Sequence, residues 1–363
     1  MRLEIERSSP IKRSARVSQL EGLFDVMPAE RSTECWTHDL PLDVQPWAIG
    51  LIVGPSGCGK STLARETWPG LVCEGFSWSA DRCLLDDFPQ GMSIKEITGL
   101  LSSVGFASPP QWLRPFGVLS TGQQMRVVIA RLLAEHPVLA IMDEFTSVVD
   151  RTVAQIGSFA IAKAVRRRSS QQFVAVTCHE DVEAWLQPDW IYRPDSGVFA
   201  WGSLQCRPSI EVEVVRVQTS AWQLFKPFHY LSGDLNPSAV CFMALYQDRP
   251  VAFVAVLPMP GKAGLSRISR SVCLPEYQGV GIGLGMMKWV GAYYRGMGRR
   301  LTLVTVLSSI NVAFQRSENW RLTRAPSLNA KQGRTSTVGN MKNATQRLTS
   351  SWEYVGPVLD GCS

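Results

Sequence analysis

The residues of this 363-residue chain that are most clearly arranged for chemistry form a glycine-rich loop, GPSGCGKST, at residues 54–62. The loop follows an apolar run at residues 49–53 that predicts a buried strand. Glycines allow the backbone to wrap around phosphate groups and to turn its N–H groups toward them. In the pattern GxxxxGK(S/T), the lysine reaches the β- and γ-phosphates and the hydroxyl binds Mg²⁺. The pattern therefore predicts a nucleoside triphosphate site with a magnesium ion, built from Gly54, Ser56, Gly57, Gly59, Lys60, Ser61 and Thr62.

Three further motifs follow this loop in order. LSTGQ at residues 119–123 precedes a helical stretch, and the apolar run at 138–142 ends in Asp143 and Glu144. Another apolar run, at 173–178, is followed by His179. Asp143 is suited to hold Mg²⁺, Glu144 to polarise the attacking water, and His179 to contact the γ-phosphate. A histidine at a strand end is usually structural, but its place after these motifs favours a nucleotide site.

The four motifs together resemble those of the ABC ATPase family. The resemblance implies that each of two chains contributes half of two ATP sites, in a head-to-tail homodimer. Ser120, Gly122 and Gln123 would then bind the nucleotide held by the opposite protomer, and Asp150 would cross the interface.

Two departures from that family bear on function. The glutamine of the family's Q-loop has only Gln90 as a candidate. Only 60 positions separate Lys60 from Ser120, which indicates a reduced helical subdomain. This reduction argues against a transporter subunit and favours the type of ABC ATPase that acts on nucleic acids. Phe24, placed on an early strand, is the candidate for stacking on adenine.

A second glycine-rich loop, QGVGIG at residues 278–283, lies in the other half of the chain. A predicted strand at 268–274 precedes it and an amphipathic helix follows it. These six residues alone favour a structural turn and a phosphate-binding loop about equally. Their place between a strand and a helix favours the phosphate-binding loop, because backbone N–H groups converge at a helix N-terminus.

The predicted element order β-α-β-β-β-α-β-α, together with QxxGxG, resembles the GNAT acetyltransferase family over residues 207–356. The resemblance implies that acyl-coenzyme A is the cofactor, acetyl-coenzyme A in the first instance, and that its pyrophosphate binds at the second loop. Asn311 would lie near the pantetheine arm. The residues assigned to this cofactor are Cys273, Gln278, Gly279, Gly281, Gly283 and Asn311.

The tyrosine acid and glutamate base of many GNAT enzymes have no counterparts at the expected positions. His229 and Tyr230 are the best substitutes, because histidine titrates near neutral pH and tyrosine can protonate a thiolate. A purely structural role for His229, at the end of a predicted helix, is equally compatible with the sequence. The HYL segment at 229–231 followed by QxxGxG also resembles the phage Mu DNA-modification protein Mom.

Composition excludes several classes of protein. With 45% hydrophobic and 19% charged residues, the chain is neither largely disordered nor fibrous. No apolar run reaches the roughly 20 residues that cross a bilayer. The N-terminal residues lack the apolar core of a signal peptide, and the nine cysteines contain no CxxC pair. We therefore expect a cytoplasmic protein without a disulfide framework.

Charge is distributed unevenly along the chain. Residues 1–203 carry a net charge of −4, whereas residues 204–363 carry +10. Residues 319–352 include no acidic residue and six basic ones: Arg321, Arg324, Lys331, Arg334, Lys342 and Arg347. It predicts either a solvated loop between the last two strands or a basic flap that binds a nucleic-acid backbone. Anionic coenzyme A is a further explanation for part of the charge.

These observations predict a two-domain α/β protein with a P-loop ABC-type ATPase domain at 1–206 and a GNAT-like domain at 207–363. The expected function is ATP hydrolysis coupled to acyl transfer from acyl-coenzyme A to an amine, with a nucleic-acid base as one acceptor. One alternative is an ABC-type ATPase with a non-catalytic module that binds coenzyme A or nucleic acid. Another is the ATP-binding subunit of a transporter.

Overall fold

A computed structural model of the protein describes residues 1–24, 27, 29–206, 208–229, 234–328 and 348–359. Its contacts divide it into two compact units. The first comprises Met1–Phe76, Glu135–Val148 and Val165–Arg207, and the second Ser77–Ala134, Val149–Ala164 and Pro208–Ser363. The strands are β1 (Arg2–Pro10), β2 (Arg31–Asp39), β3 (Ile49–Val53), β4 (Val72–Cys73), β5 (Leu139–Met142), β6 (Gln172–Thr177), β7 (Trp190–Arg193), β8 (Val198–Trp201), β9 (Glu213–Val217), β10 (Val240–Tyr246), β11 (Arg249–Pro258), β12 (Leu265–Cys273), β13 (Arg300–Thr305), β14 (Trp320–Leu328) and β15 (Leu348–Tyr354). The α-helices are α1 (Ala15–Phe24), α2 (Lys60–Thr67), α3 (Ile94–Ser103), α4 (Pro109–Trp112), α5 (Thr121–Glu135), α6 (Arg151–Arg166), α7 (Val182–Leu186), α8 (Trp222–Phe225), α9 (Ile282–Gly296) and α10 (Ser308–Gln315).

The first unit is built on a six-stranded sheet with the order β4-β5-β6-β3-β7-β8. All neighbouring strands are parallel except β7 and β8. Every residue of β3 is buried, as is expected of a central parallel strand with both faces covered. Because β3, β5 and β6 are parallel, their carboxyl ends lie along one edge of the sheet, which is where ligands bind in this type of fold. A separate hairpin pairs β1 with β2.

Helices form the first part of the second unit. Helix α3 begins with a capping box, in which Ser93 and Glu96 each bond the backbone N–H of the other. Helix α5 is buried nearly all around, including Met125, Arg126 and Val127. Such a helix must be packed on several sides by other elements.

The rest of the second unit is a seven-stranded sheet with the order β14-β15-β13-β12-β11-β10-β9. Its neighbours are antiparallel except β12 and β13, which pair in parallel only from Leu265↔Arg300 to Ile268↔Leu303. Beyond that point β12 stays paired with β11 as far as Cys273, whereas β13 stays paired with β15 as far as Thr305. The two central strands therefore separate at their carboxyl ends. The predicted element order is found, with β14 and β15 completing the sheet.

The two faces of this sheet bury different cores. Along β11, Val254 and Val256 pack in a cluster with residues of α9, α10 and Ile156 of α6. The alternate residues Phe253 and Ala255 pack with Trp222 and Phe225 of α8. This alternation is the period of two that a strand covered on both faces requires.

Three expectations from the sequence can be compared with this fold. Phe24 ends helix α1 and is exposed, so its placement on an early strand was wrong. Both ends of the predicted flap at 319–352 belong to strands, β14 and β15, which pair with each other. The rest of the predicted flap, 329–347, lies outside the described residues. The chain passes between the two units near the predicted domain boundary at 206/207, but residues 77–134 and 149–164 group with the C-terminal unit.

Candidate functional site

The first glycine-rich loop connects β3 to α2, as predicted. Gly57 and Gly59 have φ angles of 85° and 86°, and Gly59 is the residue directly before the helix. This left-handed conformation strains any residue with a side chain, which explains the glycines. The N-terminal N–H groups of α2 thus face the loop, where they attract an anion.

Two side chains of this loop form contacts inside the first unit. Lys60 is buried and its Nζ donates to the carbonyl oxygen of Pro55 at 2.7 Å. The hydroxyl of Ser61 donates to Asp143 Oδ1 at 3.0 Å. The structure therefore brings together the hydroxyl and the carboxylate that the sequence assigned to Mg²⁺. A hydroxyl and a carboxylate oxygen fit the hard-oxygen preference of Mg²⁺, whose remaining ligands are usually phosphates and water.

Asp143 also has a basic neighbour that the sequence analysis missed. The guanidinium of Arg65 lies 3.7 Å from Asp143 Oδ2 and 2.8 Å from Glu74. Arg65 stands four residues after Ser61 on α2, so both side chains share one helix face. That spacing is the signal that could have identified it.

Glu144 and His179 occupy the same sheet edge, at the ends of the neighbouring strands β5 and β6. Glu144 has a φ of 52°, and its Oε2 accepts a hydrogen bond from the hydroxyl of Ser147 at 2.6 Å. A non-glycine residue held in this sparsely populated region is typical of functional sites. His179 is half-buried, and its backbone N–H donates to Thr177 Oγ1 at 3.2 Å.

The signature motif LSTGQ leads into α5 in the second unit. The backbone N–H of Ser120 donates to Gln123 Oε1 at 3.2 Å, so this glutamine closes the turn before the helix. A Cβ on Gly122 would lie 2.5 Å from Val153, which explains the glycine. Asp150 is exposed and caps α6, since its Oδ1 accepts from the N–H groups of Thr152 and Val153.

Gln90, the Q-loop candidate, is exposed in a turn before α3. Its role and that of Asp150 at an interface stay predictions.

The second glycine-rich loop connects β12 to α9 through a short 3₁₀ turn at Pro275–Tyr277. Gly281, with a φ of 105°, stands directly before α9. The backbone arrangement is thus the same as at the first loop: a strand, a left-handed glycine and a helix N-terminus. Gly283 lies in the first turn of α9, with Cys273 beside it.

The side chains of Gln278 and Cys273 brace this loop from within. Gln278 Nε2 donates to the carbonyl oxygen of Cys273 at 2.8 Å, and its Oε1 accepts from the backbone N–H of Ala107 at 2.6 Å. The Cys273 thiol donates to the carbonyl oxygen of Tyr277. Burial raises the pKa of this thiol to about 12, so it stays protonated at neutral pH. The loop therefore offers its backbone, rather than these side chains, to a cofactor.

Arg126, which the sequence analysis also missed, lies fully buried against the same loop. Its Nη1 donates to the carbonyl oxygens of Gly105 at 2.5 Å and Pro275 at 2.7 Å, and its Nη2 donates to that of Glu276. Burial lowers the pKa of Arg126 to about 10, which leaves the guanidinium charged at neutral pH. Its place one turn into α5 is its only sequence signal.

The remaining acyltransferase candidates are placed as follows. Asn311 lies on α10, where its Oδ1 accepts from the indole N–H of Trp352 at 2.8 Å. His229 follows a 3₁₀ turn, is 9% exposed and packs edge-on against Trp222, with ring centroids 5.5 Å apart. Trp222 in turn packs on Phe253 of β11. Tyr230 lies outside the described residues.

The described residues lack two kinds of feature. They contain no group of three or more histidine, cysteine, aspartate or glutamate side chains that could bind a metal by themselves. They also contain no helix whose length and apolar character would let it span a bilayer.

Comparisons with known proteins find relatives of both predicted kinds. Residues 204–316 match the family model described as Acetyltransferase (GNAT) family. The aliphatic sulfonates import ATP-binding protein SsuB of Cupriavidus necator is 29% identical over 193 residues, covering 45% of this chain and 62% of that protein. The phosphate import ATP-binding protein PstB of Tropheryma whipplei is 28% identical over 199 residues, covering 42% of this chain and 76% of that protein. The match to SsuB thus spans less than two-thirds of that relative.

Among solved structures, an IAA acetyltransferase from Bacillus cereus aligns with 40% of this chain and 99% of its own. The two chains are 14% identical, with a TM-score of 0.29. The chain thus combines an N-terminal region similar to ABC ATPases with a C-terminal region that matches the GNAT acetyltransferase family model, so both predicted resemblances and the α/β fold class are confirmed. The resemblance to Mom stays a prediction.

Proposed function

We propose that this chain is an ATP-hydrolysing ABC-type ATPase coupled to acyl transfer from acyl-coenzyme A to an amine. The observation that carries the proposal is the presence in one chain of two glycine-rich loops with the same backbone arrangement. Each runs from a strand through a left-handed glycine, Gly59 or Gly281, into a helix N-terminus. The first would hold the triphosphate of ATP and the second the pyrophosphate of coenzyme A.

In the ATPase region, each chemical role has a residue of suitable type. Lys60 and the loop N–H groups bind the triphosphate, and Ser61 with Asp143 would hold Mg²⁺, which neutralises phosphate charge when bound. Glu144 polarises a water molecule, and His179 donates a hydrogen bond to the γ-phosphate. The water oxygen attacks the γ-phosphorus, the bond to the bridging oxygen breaks, and ADP and phosphate leave.

Two chains are needed for this chemistry, because each chain carries one set of motifs. In the proposed head-to-tail homodimer, Ser120 and Gly122 face the nucleotide held by the partner, and Asp150 approaches the interface. The exposure of Ser120 and Asp150 supports this assignment. Ser120 also stands at the start of helix α5, where N–H groups favour a phosphate, whereas the carboxylate of Asp150 already accepts from the first N–H groups of α6.

In the acyltransferase region, the amine nitrogen attacks the thioester carbonyl carbon and the carbon–sulfur bond breaks. The amine proton passes to His229, and the coenzyme A thiolate takes a proton from Tyr230. The separation of β12 from β13 beyond Ile268 supports this site, because it leaves a gap beside the second loop. Asn311 would contact the pantetheine arm through its amide N–H groups, since its oxygen is engaged by Trp352.

The acceptor amine that the charge favours belongs to a nucleic-acid base. Of the six basic flap residues, Arg321 pairs with Glu353 at 3.0 Å and Arg324 donates to Thr349, so both are engaged in the sheet. Lys331, Arg334, Lys342 and Arg347 are the four others. Replacing these four with glutamine should reduce the steepness of the slope of log affinity against log salt by about 3.6 if each contacts one duplex phosphate, at about 0.9 per phosphate. Arg321→Gln should leave the slope unchanged, and no binding at low salt would exclude a nucleic acid.

A non-catalytic module is the second candidate function. The 9% exposure of His229 and its packing against Trp222 favour it, because a buried histidine can be purely structural. This second candidate predicts that the chain binds coenzyme A but transfers no acyl group to any acceptor.

The third candidate function is that of the ATP-binding subunit of a membrane transporter, since the relatives above are named as import ATP-binding proteins. Exposed apolar residues in the helical part of the second unit, Ile94, Leu113 and Val118, are the observation in its favour. It predicts that ATP hydrolysis depends on that partner.

The deciding experiment is incubation with labelled acetyl-coenzyme A and separate pools of DNA, tRNA and protein, with and without ATP. We expect label in a nucleic-acid pool, and loss of the ATP dependence in Lys60→Ala. Label only in protein would move the acceptor to a protein amine. Tight coenzyme A binding with no label in any pool would overturn catalysis and favour the second candidate.

A further inference from the structure

The signature helix α5 meets the second glycine-rich loop through a single buried guanidinium. Arg126 stands three residues after Gln123 of LSTGQ, yet it bonds to Pro275 and Glu276, about 150 positions away along the chain. Its Nη1 also lies 3.3 Å from the carbonyl oxygen of Gln278. The carbonyl oxygens of three residues of one loop, Pro275, Glu276 and Gln278, therefore face the guanidinium of Arg126.

This arrangement determines which way the loop presents its N–H groups. A peptide unit is planar, with its C=O and its N–H pointing in opposite directions. When Arg126 binds the carbonyl of Gln278, it turns the N–H of Gly279 away from α5. The first amide of the proposed pyrophosphate cradle is thus oriented by a residue of the ABC-type signature helix.

Other segments of the same unit hold the loop at this point. The backbone N–H of Ala107 bonds to Gln278 Oε1 at 2.6 Å. A Cβ added to Gly279 would lie 2.8 Å from Gly105 Cα and 2.7 Å from the Cβ of Ala160 on α6. Only glycine permits so close an approach, so the loop has little room to move independently of α5 and α6.

Helix α6 also contacts the seven-stranded sheet. Ile156 lies in the core under β11 and α9, and Gln155 Oε1 accepts from the hydroxyl of Tyr246 on β10 at 3.0 Å. Helix α5 begins after Ser120 and α6 after Asp150. Helix α5 therefore starts at a residue that the proposed function places near the partner's nucleotide, and α6 starts at one that it places at the interface between the two chains.

From these contacts we propose that Arg126 is a positioning residue that couples ATP binding to coenzyme A binding. The proposal rests on the proposed function. A nucleotide that contacts the start of α5 fixes the helix that orients the loop, which lowers the cost of ordering the loop around the pyrophosphate. ATP therefore tightens coenzyme A binding, and by linkage coenzyme A tightens ATP binding by the same factor.

The test is calorimetric titration of coenzyme A into the full-length protein in the Glu144→Gln background, with and without saturating ATP. We expect ATP to tighten coenzyme A binding by about fivefold or more, the lower end of typical coupling. Arg126→Lys keeps the charge but loses the planar fork that reaches several carbonyls. In that variant the two coenzyme A affinities, with and without ATP, should converge.

Arg131→Met is the matched control, since it removes another arginine of α5. The Arg131 guanidinium lies over the ring of Trp78 and donates to the carbonyl of Ser77. We expect this variant to keep the ATP effect on coenzyme A affinity. If Arg126→Lys does not fold, hydrogen exchange of residues 275–283 in the unsubstituted chain replaces it, with slower exchange expected when ATP is bound.

The outcomes separate the two proposals. Absence of coenzyme A binding in every state contradicts the proposed function itself. Coenzyme A binding that is indifferent to ATP, with loop exchange also unchanged, overturns the coupling and leaves the proposed function standing. An ATP effect that persists in full in Arg126→Lys overturns the role of Arg126.

Discussion

The two glycine-rich loops of this protein share a backbone design but differ in what surrounds it. The first loop has charged groups beside it: Lys60 within it, and Asp143 hydrogen-bonded to Ser61. The second loop is held by hydrogen bonds to its own carbonyl oxygens. The amide of Gln278 donates to that of Cys273, and the guanidinium of Arg126 donates to that of Pro275. Chemistry at a phosphate needs charge at the phosphate, whereas a pyrophosphate that serves as a handle needs only oriented N–H groups. Under the proposed function, the first loop is therefore a site of reaction and the second a site that only holds its ligand.

The largest effect should come from Lys60→Ala, which removes the only lysine of the first loop. Loss of a charge-assisted contact to phosphate should weaken ATP binding by about 100-fold or more. Fluorescent-nucleotide titration measures this, and coenzyme A affinity in the absence of ATP should be unchanged. An equal loss of coenzyme A affinity would mean that the loops are not separate sites.

Glu144→Gln should sharpen the contrast by separating binding from chemistry. Removing a positioned base should slow ATP hydrolysis by about 10²–10⁴-fold while leaving ATP binding intact. Light scattering should then detect an ATP-bound dimer. A variant that stays monomeric at saturating ATP would contradict the two-chain site.

Gly281→Glu tests whether the second loop is a holding site. The substitution adds an anion where the pyrophosphate would lie and a side chain to a left-handed residue, and should weaken coenzyme A binding by about 100-fold. Gly261→Glu is the control, because Gly261 has a φ of 72° in the turn between β11 and β12 and likewise has open space for a Cβ. Calorimetry that shows equal coenzyme A affinity in the two variants would leave QGVGIG as a structural turn.

The smallest effect concerns charge that stabilises the seven-stranded sheet away from the second loop. Hydrogen bonds from Arg300 and Arg321 hold the pKa of Glu353 below its ordinary value. Since the folded-state pKa is lowered, this stabilisation is present above the unfolded pKa of about 4.3 and is lost as pH falls through the folded pKa. Both arginines are largely exposed, so Glu353→Gln should lower the free energy of unfolding by about 1 kcal/mol at pH 7.

Denaturant titration at pH 7 and at pH 3 measures this difference. It should shrink at the lower pH, and exposed Glu318→Gln should leave stability unchanged at both. Coenzyme A affinity at pH 7 should be the same in both variants. A Glu353→Gln variant that loses coenzyme A affinity would show that charge also supports the second loop.

Several parts of the two sites were predictable because neighbouring residues encode them. A left-handed turn before a helix depends on glycine at the turn, so Gly59 and Gly281 could be assigned from the sequence. The order of strands and helices along the chain was also predictable for residues 207–356, because apolar runs and apolar alternation indicate the strands. Phe24 was misplaced for the opposite reason: α1 has no buried residue, so no apolar period identified it as a helix.

What the sequence alone determined was therefore local: two glycine-rich loops between a strand and a helix, the acidic residues Asp143 and Glu144 after a strand, and the two families these motifs resemble. The tertiary structure decided which distant groups support those loops. Arg65 reaches Asp143 across 78 positions and Arg126 reaches Pro275 across 149. No local pattern predicts such pairs, because an arginine on a helix has the same propensity whether it faces water or a cluster of carbonyls. Its partner exists only once packing has excluded water and brought the carbonyls to it.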